Sequence, residues 1–342
     1  MQSDLNRLGL GRVLSPPPEG TPIARVTADH GVRYQLGTAS GLAAGVVLPT
    51  AHLPERPAVG DWVVTAPHED GHAILEVLPR RTCLARQGTG LATRKQVIAA
   101  NVDRVLHVVS MNRDLNVRRI ERTLAAIHAS GAEAVLVIHK LDLDPTGQRA
   151  TLARLGAVVD SVPVVFTSVA LPDGLAPLDP WLEPGHTLAL LGSSGVGKST
   201  LVNHLLGEEA QVTQSQRLND DRGRHTTTAR SLFPLPDGRG VLLDTPGMRE
   251  LALWSGEGIS STFADVEELM ERCAYRDCRH DGDAGCAVEE ALADGTLDPG
   301  RWENHNKLLR EAAWLERRRD GTERQRGRAF SKHVRSLKKD IW

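Results

Sequence analysis

Eight residues, Gly192-Ser193-Ser194-Gly195-Val196-Gly197-Lys198-Ser199, have the types and spacing of a phosphate cradle. Glycines in such a loop let backbone N–H groups curl around phosphate oxygens. The helix that follows, opening at Thr200, adds the positive end of its dipole. A lysine at position 198 reaches the β- and γ-phosphates, and the hydroxyl of Ser199 ligates Mg²⁺. Downstream, Asp244-Thr245-Pro246-Gly247 offers a carboxylate for the Mg²⁺ shell and an N–H at Gly247 for a γ-phosphate. Between them lies a polar run, Asp220 to Thr228, whose threonines can give Mg²⁺ a second hydroxyl. Thr226, Thr227 and Thr228 all qualify, and spacing to the next strand favours Thr227.

A base-reading group lies upstream. In His139-Lys140-Leu141-Asp142 the carboxylate of Asp142 can accept two hydrogen bonds from the N1–H and N2–H₂ edge of guanine. Adenine cannot make that pair and would leave the carboxylate unsatisfied. Lys140 can lay its aliphatic stem over the base plane. Thr167-Ser168-Val169 can close over O6 through Ser168. A third cluster, Cys273-x₄-Cys278-x-His280-x₅-Cys286, holds three of the four cysteines and a histidine. Three thiolates and an imidazole make a closed tetrahedral set, suited to a structural Zn²⁺ with no open position for catalysis.

These groups need elements to position them. The apolar runs Arg104–Ser110, Ala134–His139, Val162–Thr167, Thr187–Leu191 and Gly240–Leu243 read as buried strands, and 118–130 and 148–155 have helical spacing. Strand and helix alternate, so a parallel sheet with helices on its faces is expected, and each motif then falls at a strand's C-terminal end. Before it, from Thr21 to about Leu78, five short runs punctuated by turn residues predict a small β-barrel of the OB type. They are Ile23–Thr27, Val32–Leu36, Gly45–Leu48, Trp62–Thr65 and Ala73–Val77. Residues 1–20, polar and ending in Pro16-Pro17-Pro18, read as a flexible arm. After Trp254 the pattern turns helical. The expected division is therefore an arm (1–20), an OB-fold (21–80), an α/β nucleotide domain (81–255) and a zinc-binding helical domain with a basic tail (256–342).

The chain of 342 residues is 40% hydrophobic and 25% charged, ordinary for a water-soluble protein. It has no apolar run long enough to cross a bilayer and no leader pattern, so no membrane partner is expected and the cytoplasm is the default compartment. The net charge of −2 conceals an asymmetry: from Arg301 onward there are 13 lysines and arginines against 6 acidic residues. A basic block of that kind suits a polyanion.

The order of the motifs is the most specific feature. The base-reading group precedes the phosphate loop, whereas in Ras-like GTPases it comes last, so the order is circularly permuted. With this order, with Gly223-Arg224-His225-Thr226-Thr227-Thr228, with Asp244–Gly247 and with the cysteine cluster, the sequence resembles the RsgA (YjeQ) family of circularly permuted GTPases over nearly its whole length. The resemblance implies a monomeric GTPase stimulated by the small ribosomal subunit, acting in its late maturation, with rRNA and GTP/GDP as partners and with Mg²⁺ and one Zn²⁺. Two positions depart from expectation. His139 stands where the family has Asn or Thr. Met248 stands where a Ras-like enzyme has a water-orienting glutamine, and His225 is the candidate replacement beside Lys198 and Thr227. A purine NTPase of relaxed base specificity and a non-catalytic, nucleotide-switched RNA-binding factor remain as alternatives.

Overall fold

The computed structural model describes residues 3–49, 53–87, 95–111, 115–207, 230–244, 251, 253 and 256–318. Strands β1 (Ile23–Asp29), β2 (Arg33–Thr38), β3 (Gly41–Val46), β4 (Trp62–His68) and β5 (Gly71–Val77) form the barrel. β1 pairs with both β2 and β4, β4 with β5, and β3 closes the ring by running parallel to β5. Inside lie Ala24, Val26, Tyr34, Leu36, Val63 and Ile74. The third strand begins four residues before the predicted 45–48. Its start, Gly41-Leu42-Ala43-Ala44, is too small and too evenly apolar to carry a readable alternation.

A hairpin, β6 (Cys83–Gln87) and β7 (Lys95–Ala100), follows the barrel. Then come β8 (Arg104–Ser110), β9 (Glu133–His139), β10 (Val164–Thr167), β11 (Thr187–Leu191), β12 (Ser231–Pro234) and β13 (Val241–Asp244). Their spatial order is β10-β9-β8-β11-β13-β12, with all but β12 parallel. β11 lies in the middle, with the strands that precede it on one side and those that follow on the other. That crevice is where open α/β sheets bind ligands. β12 also pairs with β1 at Ala28 and Ser231, so barrel and parallel sheet form one eleven-stranded sheet.

The N-terminal segment differs from the expected flexible arm. Helix α1 (Ser3–Arg7) and the turn after it bury Leu5 and Leu8 in the main core. Arg12 bonds Asp103 at 2.8 Å. The i, i+3 pair Leu5 and Leu8 is too short a pattern to stand out in a largely polar segment that ends in three prolines, and tertiary packing decided its structure. Arg25 on β1 holds this corner together. Its guanidinium is 1% exposed and donates to the carbonyls of Leu8, Gly60 and Asn101 and to Thr187 Oγ1. Burial lowers its pKa to about 10, against the nearby charges of Asp103 and Asp61.

Helix α2 (Val117–His128) follows β8. Asn116 caps it, its side chain accepting from Arg119 N at 3.0 Å, and Ile120, Leu124 and Ile127 bury one stripe against the sheet. Helices α3 (Gln148–Leu155), α4 (Val158–Ser161) and α5 (198–207) complete the α/β region. The C-terminal part is helical: α6 (Glu257–Thr262), α7 (Ala264–Glu271), α8 (Ala287–Ala293) and α9 (299–318). It packs on α2 through Ile259, Phe263 and Leu308 around Ala125. Gly258 permits the close approach, since a Cβ there would lie 2.0 Å from the carbonyl oxygen of Ala125. Among the described residues no helix is long and apolar enough to cross a membrane.

Candidate functional site

The phosphate loop leaves β11 at Gly192 and enters α5 at Lys198. Gly192, Gly195 and Gly197 all have positive φ, at 147°, 83° and 105°. Gly197 is sterically required as well, because a Cβ there would lie 2.6 Å from His139 Cδ2. Val196 anchors the loop in the second core cluster, while Ser194, Gly195, Ser199 and Thr200 are exposed. Lys198 Nζ donates to the carbonyls of Gly192 at 2.6 Å and Ser193 at 2.5 Å, so the ammonium lies across the mouth of the loop.

The base-reading group comes to the same place. Lys140 adopts a left-handed φ of 64° at the end of β9 and its Nζ donates to Gly195 O at 2.8 Å. Asp142 Oδ1 accepts from Ser168 Oγ, and Ser168 Oγ accepts from Ala170 N at 3.0 Å. Residues 139–142 and 168, distant in sequence from the phosphate loop, thus converge on it at the parallel strand ends. His139 is 1% exposed, shares a 2.9 Å hydrogen bond with Thr167 Oγ1 and packs beneath Gly197. Burial lowers its pKa, and the charge of Lys140 adds to the effect.

Asp244 ends β13, the strand beside β11, which puts its carboxylate on the loop side of the sheet. His225, Thr226, Thr227, Thr228, Gly247 and Met248 lie outside the described residues, as does the basic tail from 319 onward. One contact was not legible in the sequence: Arg119, on the first turn of α2, donates from Nη1 to Ser193 Oγ at 2.9 Å. An arginine 74 positions upstream leaves no local pattern to find.

The cysteine cluster assembles as expected. One ligand atom from each of Cys273, Cys278, His280 and Cys286 lies within 4.8 Å of the others. His280 Nδ1 is 3.6, 3.5 and 3.4 Å from the sulfurs of Cys273, Cys278 and Cys286. Tetrahedral zinc, with bonds of about 2.3 Å to sulfur and about 2.0 Å to nitrogen, separates such ligands by about 3.5 Å. The donor set and its spacing therefore fit zinc. His280 takes a left-handed φ of 58°, and the Trp302 ring packs edge-on against it at 5.4 Å. Cys286 caps α8, its sulfur accepting from Glu289 N at 3.5 Å.

A sequence profile described as RsgA GTPase matches residues 77–254. The chain belongs to the RsgA GTPase family. Its relatives include "Small ribosomal subunit biogenesis GTPase RsgA" of Opitutus terrae, 47% identical over 283 residues, covering 79% of this chain and 77% of the relative. Another is "Small ribosomal subunit biogenesis GTPase RsgA 2" of Vibrio vulnificus, 42% identical, covering 86% and 83%. The fold is that of the circularly permuted GTPases. YjeQ from Thermotoga maritima superposes with a TM-score of 0.63 at 25% identity, covering 85% of this chain and 98% of that one. YloQ, solved as a circularly permuted GTPase, gives 0.62 at 23% identity over 86% and 96%.

Proposed function

We propose that this chain binds the small ribosomal subunit and hydrolyses GTP to GDP and phosphate during late maturation of that subunit, as a cytoplasmic monomer. Membership of the RsgA family and the names of its relatives support the activity and the partner. The structural observation that carries the reading is the bridge from Lys140 Nζ to Gly195 O, which joins the base-reading group to the phosphate loop.

In this reading Gly192 to Thr200 wrap the phosphates, and Lys198 exchanges the carbonyls of Gly192 and Ser193 for phosphate oxygens. Asp142 pairs with the guanine edge, and its contact with Ser168 fixes the loop that meets O6. His139 props Gly197 from below. Mg²⁺, held by Ser199, Asp244 and Thr227, would neutralise charge on the β- and γ-phosphates. Gly247 would meet the γ-phosphate. Met248 cannot orient water, so His225 on the threonine loop is assigned that role. Zn²⁺, held by Cys273, Cys278, His280 and Cys286, would cross-link the loop 273–286 to the start of α8, a structural role for a segment with little core of its own. Arg272, Arg276 and Arg279 are exposed around that loop and, with the basic tail, supply charge for rRNA phosphates.

Steady-state hydrolysis of GTP and ATP, with and without purified small subunits, tests the proposal. Stimulated turnover of GTP alone is expected. Equal use of ATP would show that the base site has relaxed around His139, and tight binding without turnover would leave a nucleotide-switched RNA-binding factor.

A further inference from the structure

The contact between Arg119 and Ser193 is unusual in what it joins. Arg119 is an exposed arginine on the first turn of α2. Ser193 is the second residue of the phosphate loop, and its carbonyl accepts from Lys198 Nζ. Two cations therefore converge on one stretch of the loop, one from α5 and one from a different helix. The charges of both add to the burial that lowers the pKa of His107, a residue of β8 that is 4% exposed and pairs across the sheet with Leu191, the last residue before the loop. Helix α2 is itself fixed to the C-terminal helices. Glu121 is fully buried and accepts from Arg301 Nη1 at 2.7 Å and Asn304 Nδ2 at 2.6 Å. Arg122 forms a two-pronged pair with Glu311 of α9 at 2.5 and 2.6 Å. The helix is clamped to α9 through Glu121, on the side opposite Arg119, and through Arg122, which lies one turn on from Arg119 on the same side.

We propose that Arg119 is a γ-phosphate ligand, whose guanidinium leaves Ser193 Oγ and takes an oxygen of the terminal phosphate when a nucleoside triphosphate fills the loop. The exchange replaces a neutral hydroxyl with a doubly charged acceptor, which makes the hydrogen bond charge-assisted on both sides. A diphosphate ends short of this position and leaves Arg119 on Ser193. Arg119 thereby discriminates triphosphate from diphosphate. Because α2 is bonded to α9 through Glu121 and Arg122, the same residue couples the nucleotide state to the C-terminal helices.

This inference rests on the proposed nucleotide site but not on its base preference or turnover, so it is read by binding. Dissociation constants are measured for GDP and a slowly hydrolysed GTP analogue, and for ADP and the matching ATP analogue. Wild type is compared with Arg119→Ala and Arg119→Lys, with circular dichroism as the control for folding. Arg119→Ala should weaken the triphosphate analogue about tenfold or more and the diphosphate less than about twofold, with Arg119→Lys between. Equal loss for both nucleotides, or no loss for either, overturns the proposal. If wild type binds only the adenine pair, the guanine reading fails while Arg119 is judged on ATP against ADP. If it binds neither pair, both readings fall.

Discussion

Arg301 and Glu121 should contribute unequally to the joint between α2 and the C-terminal helices. Arg301 Nη1 donates to Glu121 Oε1 at 2.7 Å, Nη2 to Thr262 O at 2.9 Å, and Nε and Nη2 to the two oxygens of Asp265 at 2.8 and 2.5 Å. Its guanidinium also lies 4.6 Å from the Phe263 ring centroid. Removing one partner of a buried pair costs about 3–5 kcal/mol, chiefly because the other is left charged and dry. Arg301→Leu leaves Glu121 fully buried, with Asn304 and a longer contact of 3.4 Å to Arg118, which places the loss at about 3 kcal/mol. Glu121→Leu leaves Arg301 its two bonds to Asp265, whose side chain is 37% exposed and remains hydrated, so the loss is about 1–2 kcal/mol. The double variant should be better than the sum by about 1 kcal/mol or more. Native-state hydrogen exchange of peptides from α2, α7 and α9 reads these values directly as lost protection, about a hundredfold for Arg301→Leu. A larger loss for Glu121→Leu, strict additivity, or equal loss in the barrel strands would refute the argument.

Gly197→Ala should keep the fold and lose nucleotide. The strain of an alanine at φ 105°, with a Cβ 2.6 Å from His139, is on the order of 1–3 kcal/mol, so GDP affinity measured by fluorescence titration should fall roughly 5- to 150-fold. Metal analysis after thiol modification should release one zinc per chain, and Cys286→Ser should abolish that release and lower the melting temperature of the C-terminal helices. Zinc that survives this change would assign the ligands elsewhere. Stability should fall as pH drops from about 6.5 towards 4, because burial lowers the His107 pKa to about 4 and the unfolded chain binds the proton first. The contribution is present above pH 6.5, amounts to at most roughly 3 kcal/mol, and is lost as pH falls through that window. His107→Leu should flatten the slope in urea unfolding series run across it.

Much of the site was legible because its signals are local. The phosphate loop follows a strand whose limits, Thr187 and Leu191, are those its apolar run implies. Asp142 and Ser168 were each recognisable at a strand end, and the parallel register of β9 and β10, pairing His139 with Thr167, brings them together. The cysteines and histidine that fit zinc sit within fourteen residues, so the chain's own path closes the cluster. What stayed hidden depends on distant partners. Nothing around Arg25 predicts that a charged residue on a barrel strand would be buried against Leu8, Asn101 and Thr187. The contacts of Glu121 and Arg301 likewise exist only once α2 and α9 are side by side, and that of Arg119 only once α2 meets the loop after β11. Charged residues at such positions read as a solvated helix face until packing removes the solvent.

The strand order also sets a timetable for synthesis. β8 pairs with β9 on one side and with β11 on the other, and its Val105, Leu106, Val108 and Val109 are all buried in the finished sheet. As the chain leaves the ribosome, β9 and β10 follow β8 directly, but β11 emerges some 80 residues later. At about 5–20 residues per second, that edge stands open for roughly 4–16 s. The hairpin of β12 and β13 emerges after β11 and fills the gap between β11 and β1. Until then the barrel and the base-reading half are separate pieces with unpaired apolar edges, the kind of surface that nascent chains lose to aggregation. A circular permutation that leaves the finished site unchanged thus alters the order in which its halves are born, and makes the segment after the phosphate loop the one that seals the sheet.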